Sequence, residues 1–277
     1  MPMQASIKIH CWGGFGSQLY ALTTAIDLRK RFARRDVKLI FHTGGVTYRE
    51  PEILSLLGGI SYEVVEDFTS DTQAAYTPLF HIGGFKKIFV SLMVICGFLA
   101  RADSDREFRN VKPWVRTLRG HYSYRSQSEA TIRIMFSRLF DSELVKSEFV
   151  GIQYRLGDLT TLASKSPIEV ERIADVFHRN FNEGQKVKIY SDSTSEAVFR
   201  LNSQRVQGVG VEADSFETIV DLSHAENFIG TSSKISFWVV ILRSVLGNNS
   251  GIYMPIENRG QLLDNLSNRK FDAINFY

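Results

Sequence analysis

Apolar and polar residues alternate at Ser6-Ile7-Lys8-Ile9-His10, the period-two pattern of a strand. A glycine turn, Gly13-Gly14-Phe15-Gly16-Ser17, follows, and then Leu19, Leu22, Ala25, Ile26 and Phe32 recur at helical spacing over 18–35. A second apolar run over 37–41 comes directly after. Strand, glycine turn, helix and strand in that order form a βαβ unit, which predicts a parallel sheet covered by helices. From 42 to 125 the rhythm weakens. It suggests a helix over 52–57, an apolar helix over 88–100 and a polar stretch over 101–110.

The α/β rhythm resumes near Glu148. Residues 149–154 read as a buried strand, and 168–182 as a helix with Ile168, Ile173, Val176, Phe177 and Phe181 as its apolar members. A strand over 187–190, a short helix over 194–201, a helix over 216–222 and a short strand over 227–229 come next. A long apolar helix over 233–246 leads to a strand over 251–254 that is expected to close the sheet. The change of rhythm divides the chain into an N-terminal α/β domain, 1–140, and a C-terminal α/β domain, 141–277.

Composition narrows the class. A chain of 277 residues, 44% hydrophobic and 23% charged, has ample core and is not disordered, collagen-like or disulfide-stapled. A formal charge of +3 is too mild for a nucleic-acid-binding surface. Cys11 and Cys96 stand alone without metal-ligand spacing, as expected of a reducing compartment. The first residues lack a signal-peptide pattern. The run over 88–100 falls short of the roughly 20 residues of a membrane span. A buried helix is expected there in preference to one resting on a membrane surface.

Four stretches could carry chemistry, and all lie at strand-to-helix turns. In Gly13-Gly14-Phe15-Gly16-Ser17-Gln18 the glycines either admit a ligand close to the backbone or only supply positive φ to a tight turn. The spacing is not that of a dinucleotide fingerprint, which argues against a nicotinamide-dependent oxidoreductase. In Gln153-Tyr154-Arg155-Leu156-Gly157-Asp158 an arginine stands at a strand's carboxyl end, where open α/β sheets bind ligands. Arg155 could hold a phosphate in bidentate fashion or pair with Asp158. Ser191 and Asp192 could contact a nucleoside or cap the next helix. Thr231-Ser232-Ser233 could cradle a diphosphate with O–H and N–H donors, or cap the long helix. His224, alone near a helix end, reads as structural in preference to a catalytic base.

In this order the stretches resemble the sugar-nucleotide glycosyltransferases that form α-1,2-linked fucosides (family 11 type), within the wider α-1,2/α-1,6 and protein O-fucosyltransferase group. The family's G-G-L-G-N-Q loop is matched by Gly13-Gly14-Phe15-Gly16-Ser17-Gln18, and its H-x-R-R-x-D signature by Gln153 to Asp158. Its strand ending in Ser-Asp is matched by Tyr190-Ser191-Asp192. Its last signatures are matched by Asp221-Leu222-Ser223 and by Thr231-Ser232-Ser233-Lys234-Ile235-Ser236-Phe237-Trp238. The resemblance implies a GT-B fold, two Rossmann-like α/β domains facing a cleft, with no metal and GDP-fucose as donor. It implies Arg155 and Asp158 as catalytic, with Arg155 on the β-phosphate. Ser191, Asp192, Thr231, Ser232 and Ser233 would bind the donor, and Gly14, Phe15, Gly16, Ser17 and Gln18 would line the acceptor side.

The implied reaction is inverting transfer of fucose to a hydroxyl, O-2 of an acceptor sugar, in surface polysaccharide synthesis of the O-antigen (lipopolysaccharide) type. The acceptor would be an oligosaccharide, lipid-linked or free, and the enzyme cytoplasmic. Arg29-Lys30-Arg31 and Arg34-Arg35 either dock it peripherally on the inner membrane or form a solvated helix face. Three positions depart from the family. Gln153 replaces its histidine, Leu156 its second arginine and Ser17 its loop asparagine. They leave open a different nucleotide sugar, or a non-catalytic nucleotide- or carbohydrate-binding protein of the same fold.

Overall fold

The computed structural model describes residues 7–31, 36–43, 48–65, 100–101, 129–140, 147–160, 166–182, 184–266 and 274–277. It divides into two compact units, Met1–Met135 and Phe136–Tyr277. In the first unit, β1 (Ile7–Trp12) leads to α1 (Phe15–Arg31), β2 (Val37–His42), β3 (Ser61–Val65), β4 (Ala100–Arg101) and α2 (Glu129–Met135). The sheet order is β3-β2-β1-β4 and every pair is parallel. Helix α1 packs on β1 and β2 and buries Leu19, Leu22 and Ala25.

Helix α1 begins three residues before the apolar pattern does. The Gly14 carbonyl accepts the N–H of Ser17 at 2.9 Å and of Gln18 at 3.2 Å, so the end of the glycine stretch is itself the first helical turn. The helix expected over 52–57 contracts to one 3-10 turn, Leu54–Leu56. Gly58 and Gly59, at φ 53° and 80°, take the left-handed backbone that ends it. The chain then enters β3, an edge strand with four of its five residues exposed, which therefore lacks the buried alternation that reveals a strand. Of the apolar run over 88–100, Ala100 stands in β4 and the rest lies outside the described residues. Among the described residues no helix is long and apolar enough to cross a membrane.

The second unit opens with α3 (Ser137–Phe140) and β5 (Ser147–Gln153). It continues through α4 (Val170–Asn180), β6 (Val187–Tyr190), α5 (Thr194–Ser203), β7 (Val209–Gly210), α6 (Ser215–His224), β8 (Ala225–Ile229), α7 (Lys234–Leu246), β9 (Ile252–Met254), α8 (Arg259–Leu266) and β10 (Ile274–Phe276). The sheet order is β10-β9-β8-β5-β6-β7, parallel throughout. The first strand is central. The chain winds outward from it to β7, then crosses to β8 on its other side, the Rossmann order. The first unit's β3-β2-β1-β4 follows the same order through its fourth strand. The chain is therefore α/β, with two Rossmann-like parallel sheets. Strand 251–254 does not close the second sheet as expected, because β10 pairs outside it from Ile274↔Ile252 to Phe276↔Met254.

Local chemistry explains the element ends. Asp214 caps α6 by accepting the Glu217 N–H at 2.7 Å. Ser233 caps α7 by accepting the Ser236 N–H at 3.0 Å, and Gly247 ends that helix at φ 77°. A Cβ at Gly151 would collide with Leu222, so glycine lets α6 lie flush on β5. Arg243 of α7 is fully buried and donates to the carbonyls of Leu222, Ala225, Glu226 and Ser250 at 2.6–3.2 Å. Burial pushes its guanidinium down to about 10. It stays charged at neutral pH against four carbonyl oxygens, one of them in the last turn of α6, where the helix dipole favours a cation.

Candidate functional site

In the second unit the direction of winding reverses between β5 and β8, and their carboxyl ends are adjacent, Ile152 pairing with Ile229. Ligands of open α/β sheets bind in the crevice at such a switch point. Gln153, Tyr154 and Arg155 leave β5 there, and Gly230-Thr231-Ser232-Ser233 leaves β8. Thr231, Ser233 and Gln153 are buried. The structure thus brings together residues 78 and 80 positions apart in the chain.

Their hydrogen bonds form one network. Thr231 Oγ1 accepts the Arg155 N–H at 3.2 Å, Ser236 Oγ accepts the Thr231 N–H at 3.0 Å, and Ser233 Oγ accepts the Ser236 N–H. All three hydroxyls then donate to Gln153 Oε1, at 3.1 Å from Thr231, 2.8 Å from Ser233 and 2.7 Å from Ser236. Ser236 carries no role in the sequence reading. Its signal was its place three residues after Ser233, the spacing of an N-cap and its partner.

Arg155 is half-buried just beyond β5. The loop that follows is tied down by Asp192, whose Oδ1 accepts the N–H groups of Leu156 at 2.9 Å and Gly157 at 3.0 Å. A Cβ at Gly157 would collide with the same carboxylate, so glycine is required for this close approach. Asp192 does not cap α5. Ser193 occupies that position, and Ser191 Oγ accepts its N–H at 3.0 Å. Leu156 is fully buried in the core of the unit. Asp158 lies in a 3-10 turn, Gly157–Thr160, and its side chain is outside the described set. Ser232 is exposed and donates to Asn258 Oδ1 at 2.7 Å.

Asp221, of the family's fourth signature, accepts from Lys188 Nζ at 2.8 Å and from the Tyr190 hydroxyl, pinning α6 to β6. Burial raises the Asp221 carboxyl, but Lys188 and Tyr190 outweigh it and hold the group below its ordinary value. Burial, then the Asp221 hydrogen bond, pushes the Tyr190 phenol up. The His224 ring lies 2.8 Å from the Val220 carbonyl of its own helix, which is a structural bond.

In the first unit the glycine turn occupies the corresponding place after β1. Gly13 is at φ 91°. Phe15 and Gln18 are buried. Gln18 Nε2 donates to the carbonyls of Gly13 at 3.1 Å and Glu50 at 2.8 Å, while its Oε1 accepts the Glu52 N–H at 2.8 Å. The Phe15 N–H, at the start of α1, donates to Glu52 Oε1 at 3.2 Å. The chain's own carboxylate therefore sits at this helix N-terminus. Sequence reasoning missed Glu52, and a separation of 37 positions from Phe15 left no local signal for it.

Among the described residues no cluster of three or more His, Cys, Asp or Glu could hold a metal ion. No protein-family profile and no curated protein matches the chain. Among solved structures it is similar to the fucosyltransferase NodZ from Bradyrhizobium, with TM-score 0.41, 13% identity, 86% of this chain and 93% of that one covered. It is similar to the E. coli heptosyltransferase WaaC with ADP, with TM-score 0.46, 12% identity and coverage of 94% and 90%. The UDP-GlcNAc 2-epimerase from Methanocaldococcus jannaschii is a third such structure, with TM-score 0.42, 13% identity and coverage of 98% and 96%. The fold assignment rests on the parallel strand orders of the two sheets.

Proposed function

We propose that the chain is a GT-B-type glycosyltransferase that binds a nucleotide sugar at the carboxyl edge of its second sheet and transfers the sugar, with inversion, to an acceptor hydroxyl. The observation that carries this reading is the convergence of Arg155, Gln153 and the hydroxyl turn from Thr231 to Ser236 on one switch point. A departing nucleoside diphosphate gains negative charge, and fixed donors beside an arginine meet that charge without a metal. Arg155 takes the β-phosphate, with Asp158 in support. Asp192 acts through the loop it holds, positioning Arg155 for the diphosphate. Ser191, Thr231, Ser232 and Ser233 complete the donor side, and the turn from Gly14 to Ser17, held in place by Gln18, serves the acceptor.

The resemblance of the four motifs supports GDP-fucose as donor and O-2 of a surface-polysaccharide sugar as acceptor. One observation favours a second reading. Leu156, where the family has its second arginine, is fully buried and presents no charge to a ligand. The donor is then a different nucleotide sugar, or the site binds without turnover.

Calorimetry with GDP, UDP, CDP and dTDP, on the native chain and on Arg155→Ala, tests both. GDP binding that collapses in the variant is the expected result. Preference for another nucleotide keeps the site and changes the donor, and no binding to any of the four overturns the transferase reading. Measured transfer or hydrolysis of the preferred nucleotide sugar separates an enzyme from a binder.

A further inference from the structure

We infer that Gln153 is a ligand-binding residue whose carboxamide N–H group holds an oxygen of the nucleotide's diphosphate. This rests on the nucleotide-sugar reading and adds a contact within that site. A glutamine amide can be turned either way, so the hydrogen inventory decides its direction. The hydroxyls of Thr231, Ser233 and Ser236 each accept one backbone N–H, and each has one hydrogen left to place. With Oε1 facing them, all three hydrogens find an acceptor. With Nε2 facing them, Ser233 and Ser236, 3.2 Å apart, could satisfy one hydrogen between them. The Thr231 hydrogen would have no acceptor among the described residues. The oxygen therefore faces the hydroxyls.

That orientation leaves Nε2 without a hydrogen-bond partner among the described residues, on a side chain whose residue is only 5% exposed. Nε2 is nevertheless not among the fully enclosed side-chain atoms that lack a partner, so this unspent donor is open to a ligand. Here it stands at the end of β5, beside the switch point and two residues before Arg155. A neutral N–H donor at the strand end that also carries Arg155 suits an anionic oxygen, and in a nucleotide sugar the anionic oxygens are those of the diphosphate.

Two variants separate a ligand contact from a structural one. Gln153→Glu keeps an oxygen for the three hydroxyls, which hold the introduced carboxylate ionised, but it replaces the donor with negative charge. Gln153→Met removes the donor without adding charge and strands the three hydroxyl hydrogens. Calorimetry with the preferred nucleoside diphosphate at pH 8, beside thermal melting, reads both effects. Diphosphate binding is expected to weaken about a hundredfold in Gln153→Glu and about fivefold in Gln153→Met. Melting should move in the opposite order, with Gln153→Met the less stable. The proposal is overturned if both variants bind like the native chain, or if Gln153→Met binds more weakly than Gln153→Glu in step with its stability. If the native chain binds none of the four diphosphates, the nucleotide reading fails and this contact with it. Native binding with unchanged variants removes Gln153 alone.

Discussion

Each unit has a buried glutamine at or soon after the end of its first strand, Gln18 in the first turn of α1 and Gln153 as the last residue of β5, and the two are used differently. Gln18 spends both ends of its carboxamide on the backbone of residues 13, 50 and 52. Gln153 spends only its oxygen, on three hydroxyls of the turn between β8 and α7. The neighbourhoods differ in the same sense. The N-terminus of α1 is met by Glu52 from within the chain, whereas the hydroxyl turn before α7 stands beside an arginine. A carboxamide with every group satisfied is a staple. One with its donor unspent at a switch point is a contact waiting for a ligand.

The largest expected effect tests the second edge. Arg155→Ala should lower kcat/KM for sugar transfer by about a thousandfold, roughly 4 kcal/mol of transition-state stabilisation. A loss below about tenfold would remove the charge on which that edge depends. Gln18→Ala tests the first edge. It strands two carbonyls and one N–H, and should cost about 3 kcal/mol in urea unfolding while nucleoside diphosphate affinity is retained. A collapse of that affinity at unchanged stability would erase the contrast between the two glutamines.

A pH titration sharpens the contrast. Burial pushes His42, at the end of β2, down to about 4 against an opposing pull from Glu63. The unfolded chain takes up this proton near the ordinary value of 6.5 and the folded chain only near 4. The stability is therefore complete above pH 6.5 and is lost as pH falls to about 4, by up to about 3 kcal/mol. In His42→Gln the fall over that window should flatten, and an unchanged slope would assign the acid sensitivity elsewhere. Asp221, held low in the second unit, acts at more acid pH. Its contribution is present above the ordinary carboxylate range and lost as pH drops through its folded value. The smallest effect is expected from Thr231→Val, about 1 kcal/mol of stability and a severalfold loss of nucleotide affinity as the amide loses one of its three anchors. Affinity unchanged in calorimetry would show that two hydroxyls suffice.

The βα rhythm was legible because it is written in local periodicity. Strand β6 matches its apolar run over 187–190, and α4 lies where Ile173, Val176 and Phe177 predict it. Strands β3 and β10 were not legible. They are edge strands, with little burial to impose a pattern. Arg243 was not legible either, because the carbonyls that hold it belong to residues 7 to 21 positions away.

The sequence by itself determined that glycine, arginine and hydroxyl residues fall at strand-to-helix turns, since hydrophobic period and turn chemistry are local properties. Only the tertiary structure decided which of them meet. Register between β5 and β8 put Gln153 against the hydroxyl turn, and packing of the segment over 50–52 against the glycine turn consumed Gln18. Two glutamines near the ends of first strands received opposite uses because hydrogen-bond partners are allotted by neighbours in space, and no window of sequence contains those neighbours.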